Sequence, residues 1–176
     1  MHLDPSDARA FIGTYQPLLE FMAGEFQDDE SIHWRLIRGR SAMQEAPERL
    51  DDARRALNEA GQTIDEDVLA AMRQMRCAQW VYLRDTRSHS IVLDMDGQQA
   101  YGVLGLTQRL RDITGESGAI IQTALLPFRG RIICDGLITD LVWIGSNYRR
   151  SFNEDVKRLK SEQRFSAHTL TPLTLA

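Results

Sequence analysis

The amino-acid sequence predicts an α+β fold: N-terminal helices followed by a mainly antiparallel sheet of about five to six strands built from hairpins, with a C-terminal helix packed on it. Up to about residue 76, apolar residues recur at helical spacing. After Cys77 the apolar spacing falls to two residues, which is typical of strands. The strand-like runs are joined by connections of hairpin length, and such connections link antiparallel strands.

The length and composition predict one globular domain. The chain has 176 residues, of which 43% are hydrophobic and 26% charged, and this is ordinary globular usage. We expect a single α+β domain over residues 1–164, divided into a helical part (1–76) and a sheet with its helix (77–164), followed by a tail over 165–176. The net charge of −4 gives no general attraction to nucleic acid.

The first helix is predicted by its N-terminal signals. Asp4 can cap the free backbone N–H groups, and Pro5 suits the first helical position, where no N–H is needed. Pro17 interrupts the run because its ring would collide with the carbonyl group of Gly13. Either the helix kinks at Pro17, or it ends near Gly13 and a second helix starts with Thr14 as its cap; the second alternative is favoured.

Three more helices are expected before the sheet. A short one, containing Trp34, would stop at Gly39, and a surface helix over 47–60 would end at Gly61. The run from Thr63 to Glu66 is a capping-box pattern, in which the threonine hydroxyl and the glutamate carboxylate each accept a hydrogen bond from a free N–H at the helix start.

The strands are predicted from β-branched and aromatic runs between turn signals. The Asp96-Gly97 pair indicates a hairpin, since a tight turn needs a positive φ. A short helix with Thr107 as its cap would follow the third strand, and a final helix would bury Tyr148 among other residues. The expected strands are 80–83, 91–93, 100–104, 119–126, 131–134 and 138–144. The tail from 165 to 176 is either flexible or docked as an edge strand.

Enzyme and metal motifs are missing from the sequence. The histidines and cysteines lack ligand spacing, and we read Cys77 and Cys134 as small buried hydrophobic residues. No phosphate-binding glycine loop or nucleophile elbow occurs. Asp94 and Asp96 form a D-x-D pair that we interpret as a turn, and Asp135 with Asp140 is a second acidic pair. We therefore predict no catalytic residues, no metal and no cofactor.

One stretch has the composition of an anion-binding site. Ser146, Asn147, Arg149 and Arg150 lie where a predicted strand meets the last predicted helix. Free N–H groups at a helix start, the helix dipole and two guanidinium groups could together hold a phosphate or a carboxylate. The alternative is that Ser146 or Asn147 only caps the helix while the arginines pair with surface acids.

The second half of the chain resembles an uncharacterised family of bacterial cytoplasmic proteins with no assigned function. The resemblance covers about residues 78–160. It rests on a YGVLGL string (101–106), on LLPFRGRII (125–133) with a following DGL (135–137), and on Arg149-Arg150-Ser151 with Asn153. It implies a bacterial origin and a cytoplasmic location.

These observations predict a non-enzymatic interaction, regulatory or accessory protein that binds a protein partner. Trp34 and Trp143 are the candidate contact residues. The alternative is a protein that binds or processes phosphate ligands or nucleic acid through an arginine-lined helix start. No signal peptide or membrane span is expected, so we predict a cytoplasmic protein. Self-association through an edge strand is a further possibility.

Overall fold

A computed structural model describes residues 1–170 of the chain. The chain divides into two compact units. The helical unit comprises Asp4–Arg73, and the barrel unit comprises Met1–Leu3 with the chain from Gln74 onward. Whether the two units behave as the single domain expected over 1–164 stays a prediction.

The helical unit contains four helices whose apolar faces form its core. Buried residues recur along α1 at helical spacing, among them Phe11, Leu18 and Met22. The N-terminal signals of α1 are confirmed, since the Asp4 carboxylate accepts a hydrogen bond from the Ser6 N–H at 2.9 Å. The helices are α1 (Pro5–Ala23), α2 (Ile32–Glu45), α3 (Arg49–Glu59) and α4 (Glu66–Arg73).

Pro17 lies inside α1, and the expected break near Gly13 is wrong. Proline removes one backbone hydrogen bond from a helix interior. Buried side chains on both sides of Pro17, including Tyr15 and Leu19, keep the chain helical because they pack on one continuous face. Packing therefore outweighs the local cost of the proline.

Gly39 does not stop α2, which continues to Glu45. A β-carbon built on Gly39 would lie 2.0 Å from the carbonyl oxygen of Leu19 in α1. The glycine is required because the backbones of α1 and α2 approach closely at this point.

The start of α4 differs from the predicted capping box. The helix begins at Glu66, and the Asp65 carboxylate accepts a hydrogen bond from the Asp67 N–H at 2.9 Å. Asp65 therefore serves as the capping side chain in place of Thr63. The Asp65 N–H in turn donates to the Thr14 hydroxyl at 3.1 Å, which attaches the start of α4 to α1.

The barrel unit holds seven strands and two helices in its described part. Each expected strand exists: those over 100–104 and 131–134 have the expected bounds, and the other four are shifted by one to four residues at one or both ends. The elements are β1 (Arg76–Asp85), β2 (Ser90–Asp94), β3 (Ala100–Leu104), α5 (Leu110–Thr114), β4 (Ala119–Phe128), β5 (Arg131–Cys134), β6 (Asp140–Trp143), α6 (Ser146–Ser161) and β7 (Phe165–Ser166). No helix within residues 1–170 is both long and apolar enough to cross a lipid bilayer.

Five of the strands close into a ring. β1 pairs with both β2 and β4, β2 pairs with β3, β3 pairs with β5, and β5 pairs with β4. The ring can close because β1 is long enough to pair with β4 along one edge and with β2 along the other. Outside the ring, β6 adds to β4 and β7 adds to β3.

The sheet is mixed, so the prediction of a mainly antiparallel sheet of five to six strands is wrong in both respects. β3 pairs in parallel with β5 and with β7. Hairpin connections explain β1–β2–β3 and β4–β5, whereas the parallel pairs join strands distant in the sequence. Asp135 and Gly136 lie between β5 and β6, but these two strands do not form a hairpin, since β6 pairs with β4 and not with β5.

Two layers of apolar side chains cover the two faces of the sheet. One fills the ring and includes Trp80, Tyr101 and Ile132. The other lies outside β1, β2 and β3, where α6 covers it with Val156 and Leu159. This confirms that the C-terminal helix packs on the sheet.

Three details of this unit correct the sequence analysis. Tyr148 is 68% exposed, although helical spacing placed it on the buried face of the last helix. The short helix α5 begins at Leu110 after Arg109, not after Thr107. Phe165 and Ser166 form the docked strand β7, while residues 171–176 of the expected tail lie outside the described part of the chain.

Candidate functional site

The predicted anion-binding residues lie at the start of α6, as expected from the sequence. Gly145 precedes the helix, and no side chain caps it. Ser146 and Asn147 are exposed in the first turn, and that turn contains no acidic residue. Its N–H groups therefore carry the positive end of the helix dipole without a protein anion on the same helix end.

The two arginines of this stretch have different surroundings. One amine of the half-buried Arg149 guanidinium donates to the Ser117 carbonyl oxygen at 2.6 Å. A β-carbon on Gly118 would lie 2.1 Å from the Arg149 Nε, so the missing side chain makes room for the guanidinium. The Nε is buried, with no hydrogen-bond partner among the described residues. Arg150 is exposed.

Asn153 links α6 to the barrel. Its side-chain amide donates to the Arg149 carbonyl oxygen at 2.7 Å, and its amide oxygen accepts a hydrogen bond from the Arg84 guanidinium on β1. Arg149 and Asn153 thus hold the first turns of α6 against the loop before β4 and against β1. Two residues of the motif that carried the family resemblance therefore have a structural role.

The two predicted contact tryptophans lie in different units. Trp34, on α2 of the helical unit, is 56% exposed and meets the His33 ring edge-on at 5.8 Å between ring centres. Trp143, on β6 of the barrel unit, is 47% exposed.

An open pocket of about 530 Å³ lies in the helical unit and is lined by residues of α1, α2 and α3. Arg35 lines it, but its guanidinium donates to the Gly24 carbonyl oxygen at 2.9 Å and stacks on the Phe26 ring at 4.4 Å. Glu20 and Glu25 also line the pocket. With the cationic side chain already engaged, the pocket offers a weaker site than the exposed strand described next.

β6 is the candidate interaction strand. All four of its residues are exposed: Asp140, Leu141, Val142 and Trp143. It pairs with β4 along one edge, and no strand within residues 1–170 pairs with its other edge. Exposed edges are normally protected by charged side chains or proline; here three of the four residues are large and apolar.

The backbone N–H and C=O groups of β6 point alternately toward β4 and toward the free edge. The Ile144 N–H donates to the Gly118 carbonyl oxygen at 3.0 Å, which marks Ile144 as a residue whose polar groups face β4. Because this direction alternates along a strand, the polar groups of Val142 also face β4. Those of Leu141 and Trp143 point to the free edge.

The side chains of β6 also alternate. Leu141 lies opposite Ile121 in β4, a residue of the core inside the ring, whereas Val142 lies opposite Ile120, which packs against the outer core. Residues directly opposite each other share a face of the sheet. Leu141 and Trp143 therefore extend one face of the sheet and Val142 extends the other.

The acidic pairs noted in the sequence have structural partners. Asp94 accepts hydrogen bonds from the backbone N–H groups of Gln98 and Gln99, which fits the turn interpretation. Asp135 is buried and accepts from the Thr123 hydroxyl at 2.9 Å. Over residues 1–170, no group of three His, Cys, Asp or Glu side chains is arranged to hold a metal ion. Cys77 and Cys134 do not form a disulfide.

His89, at the end of the β1–β2 turn, is the histidine with the most distinct environment. It packs against Gly102, where an added β-carbon would lie 2.9 Å from its ring, and against the Phe165 ring. Its Nε2 is buried with no hydrogen-bond partner in the described chain. Burial, with a smaller contribution from the charge of Lys160, lowers the pKa of His89 below its usual 6.5.

Comparisons with family models, with curated proteins and with solved structures find no match to the chain.

Proposed function

We propose that the chain is a non-enzymatic protein-interaction module whose contact strand is β6, onto which a partner adds a further β-strand. One observation carries the proposal. β6 is an unprotected sheet edge whose residues Leu141, Val142 and Trp143 are all exposed. An added strand would satisfy the outward N–H and C=O groups of Leu141 and Trp143 and place its own side chains beside the apolar ones of β6.

The strand order of the barrel bears on this choice. The ring has five strands in the order β1-β2-β3-β5-β4, with β3 and β5 parallel and a helix between β3 and β4. This is the connectivity of the OB-fold. Many OB-folds bind oligonucleotides on the outer face of β2 and β3, by means of aromatic and basic side chains. Fold alone does not establish function, so the residues on that face decide.

That face has the wrong chemistry for nucleic acid. It carries the aliphatic residues Ile91 and Leu93, and α6 covers it with Val156 and Leu159. In the described part of the chain, α6 therefore occupies the surface on which bases would stack. This favours protein interaction through β6 over oligonucleotide binding in the usual OB-fold manner.

The alternative function is binding of a phosphate-bearing ligand or nucleic acid at the start of α6, through Ser146, Asn147, Arg149 and Arg150. The uncapped helix end and the exposed Arg150 support it. The engagement of Arg149 by the Ser117 carbonyl weakens it, because the guanidinium would have to turn away from that contact to reach a ligand.

The resemblance of residues 78–160 to a bacterial family suggests the setting. We propose a bacterial, cytoplasmic, regulatory or accessory role, in which Trp143 serves the contact through β6 and Trp34 is a second contact residue on the helical unit.

Affinity purification from the native host at low salt tests the proposal, with three variants compared to the wild-type chain. Trp143→Pro removes an outward N–H from β6, Trp143→Ala removes only the side chain, and the Arg149→Ala, Arg150→Ala double variant removes the anion site. A strand-adding partner should be retained in stoichiometric amount by the wild type and by the double variant, weakened by Trp143→Ala and lost with Trp143→Pro.

Two results would contradict the proposal. If Trp143→Pro retains the partner as well as the wild type does, β6 is not the contact strand. If nucleic acid or a phosphorylated metabolite co-purifies and is lost only in the double variant, the anion-site alternative replaces the proposal. In that case its retention should also fall steeply with salt.

A further inference from the structure

We infer that the strand received by β6 is β6 of a second copy of this chain, paired antiparallel about Val142. The inference rests on the proposed function, because it names the partner of the same edge. Antiparallel pairing of one strand with its own copy produces a two-fold symmetric dimer, in which the same patch serves on both sides.

The free backbone groups select the register. In an antiparallel pair, residues that exchange hydrogen bonds must both present their polar groups to each other. On β6 these residues are Leu141 and Trp143. Only pairing centred on Val142 places Leu141 opposite Trp143 of the second copy and Trp143 opposite its Leu141, so that all the outward groups are satisfied.

The neighbouring registers satisfy fewer groups. Centring on Leu141 would set Trp143 opposite Thr139, whose N–H already donates to the Gln122 carbonyl oxygen. Centring on Trp143 would set Leu141 opposite Gly145, whose carbonyl oxygen already accepts a hydrogen bond from the Arg149 N–H at 3.0 Å. Each of these registers sets one outward residue opposite a residue with a backbone polar group that is already engaged.

The side chains are self-complementary in the Val142-centred register. The two Val142 residues face each other on one side of the sheet as a closely spaced pair without hydrogen bonds. On the other side each Leu141 meets a Trp143, and contacts between aromatic and aliphatic cross-strand pairs are favourable. The three exposed apolar residues of each copy thereby lose part of their contact with water.

The charges also agree with this register. Asp140 is the one charged residue of β6. It comes to lie opposite Ile144 of the second copy, two residues before that copy's α6, so the two Asp140 carboxylates are not opposite each other. The start of α6 lacks a side-chain cap and an acidic residue of its own. An acidic group from the other copy is favourable beside the positive end of that helix.

The mass of the chain in solution, measured by light scattering over a concentration series, tests association. The wild type should reach twice the 20.1 kDa of one chain, Trp143→Ala should shift the transition to higher concentration, and Trp143→Pro should remain at 20.1 kDa. Circular dichroism and thermal melting establish that each variant is folded. A wild-type chain that remains monomeric at every concentration overturns the inference.

Opposite charges at position 142 test the register. Val142 is 60% exposed, so Val142→Lys and Val142→Glu are tolerated by the fold. Each variant alone should stay at the mass of one chain because like charges would be directly opposed. An equimolar mixture should recover the doubled mass, since lysine then faces glutamate. A wild-type dimer that both variants leave intact, or a mixture that does not recover, overturns the register.

Failure of this inference can be told apart from failure of the proposed function. If the chain remains a monomer but a partner of different sequence is lost with Trp143→Pro, β6 does receive a strand, and that strand comes from the other protein. If the chain doubles its mass and none of the β6 variants changes it, the dimer forms elsewhere and the inference fails; the proposed function fails as well only if Trp143→Pro also retains the partner.

Discussion

A β-carbon built on Gly39 would lie 2.0 Å from the carbonyl oxygen of Leu19. The oxygen belongs to the backbone of α1, and a β-carbon is fixed directly to the backbone of α2, so no side-chain rotation can relieve the contact. We predict that Gly39→Ala lowers the free energy of unfolding of the helical unit by about 3 kcal/mol, in spite of alanine's higher helix propensity, because α1 and α2 must separate. Urea unfolding followed by circular dichroism measures the change.

Gly13 provides the matched control. It is an exposed glycine in α1, and a β-carbon there would meet nothing within 4 Å. Gly13→Ala should therefore stabilise the unit by up to about 1 kcal/mol through helix propensity alone. Equal effects of the two substitutions would show that the close approach of α1 and α2 is not what requires glycine at position 39.

The contact between Arg149 and Gly118 makes a second prediction. Gly118 has a φ of 85°, and Gly118→Ala would also push a β-carbon into the Arg149 Nε. We expect a cost of about 2 kcal/mol, of which about half is backbone strain and half the lost hydrogen bond from Arg149 to the Ser117 carbonyl. Thermal unfolding of the variant measures the sum.

Gly115→Ala separates the two contributions. Gly115 has a nearly identical φ of 84°, but nothing lies within 4 Å of its β-carbon position. Its substitution should cost only the strain, about 1 kcal/mol. In an Arg149→Ala background, Gly118→Ala should fall to the same value. If it does not, the position of the Arg149 guanidinium is not what requires glycine at position 118.

The sequence predicted most elements of the fold because periodicity and caps are local. Asp4 and Pro5 identified the start of α1, and the change of spacing after Cys77 identified the sheet. The errors arose where a distant segment decides the local conformation. In the sequence, Gly39 resembles a residue that ends a helix. Only the position of Leu19 reveals that glycine is needed there because α1 and α2 approach closely. Closure of the ring through β3 and β5 also depends on strands that no short connection joins.

The candidate site could be predicted only in part. Trp143 was identified as a contact residue from its size and apolar character, but Leu141 and Val142 were not, because an apolar strand is normally buried. Edge position depends on the order of strands, which sequence spacing does not contain. The Ser117 carbonyl that binds Arg149 lies 32 residues away in the sequence and could not be foreseen.

Asp135 makes a third prediction, on the role of a buried carboxylate. It accepts hydrogen bonds from the Thr123 hydroxyl and from the Leu137 N–H. Asp135→Ala should cost about 2–3 kcal/mol, because it leaves buried donors without an acceptor. Asp94→Ala, at a partly exposed turn, should cost about 1 kcal/mol.

Neither EDTA nor Mg²⁺ should change the melting temperature of the wild type. A rise in the melting temperature with Mg²⁺ that Asp135→Ala abolishes would assign the Asp135 carboxylate to a metal.

The environment of His89 makes the last prediction, on pH. Burial lowers the pKa of His89 in the folded chain below 6.5, the value it recovers on unfolding. Below pH 6.5 the unfolded chain therefore binds the proton more strongly, so the contribution of His89 to stability is complete above pH 6.5 and declines as the pH falls toward the folded-state pKa. His89→Gln, which cannot take up the proton, should flatten the dependence of the unfolding free energy on pH in this window.

Denaturant unfolding at closely spaced pH values measures the slope, and an NMR titration of the His89 ring gives the folded-state pKa directly. An NMR pKa at or above 6.5, or an unchanged slope in His89→Gln, would show that burial against Gly102 and Phe165 does not disfavour the charged ring.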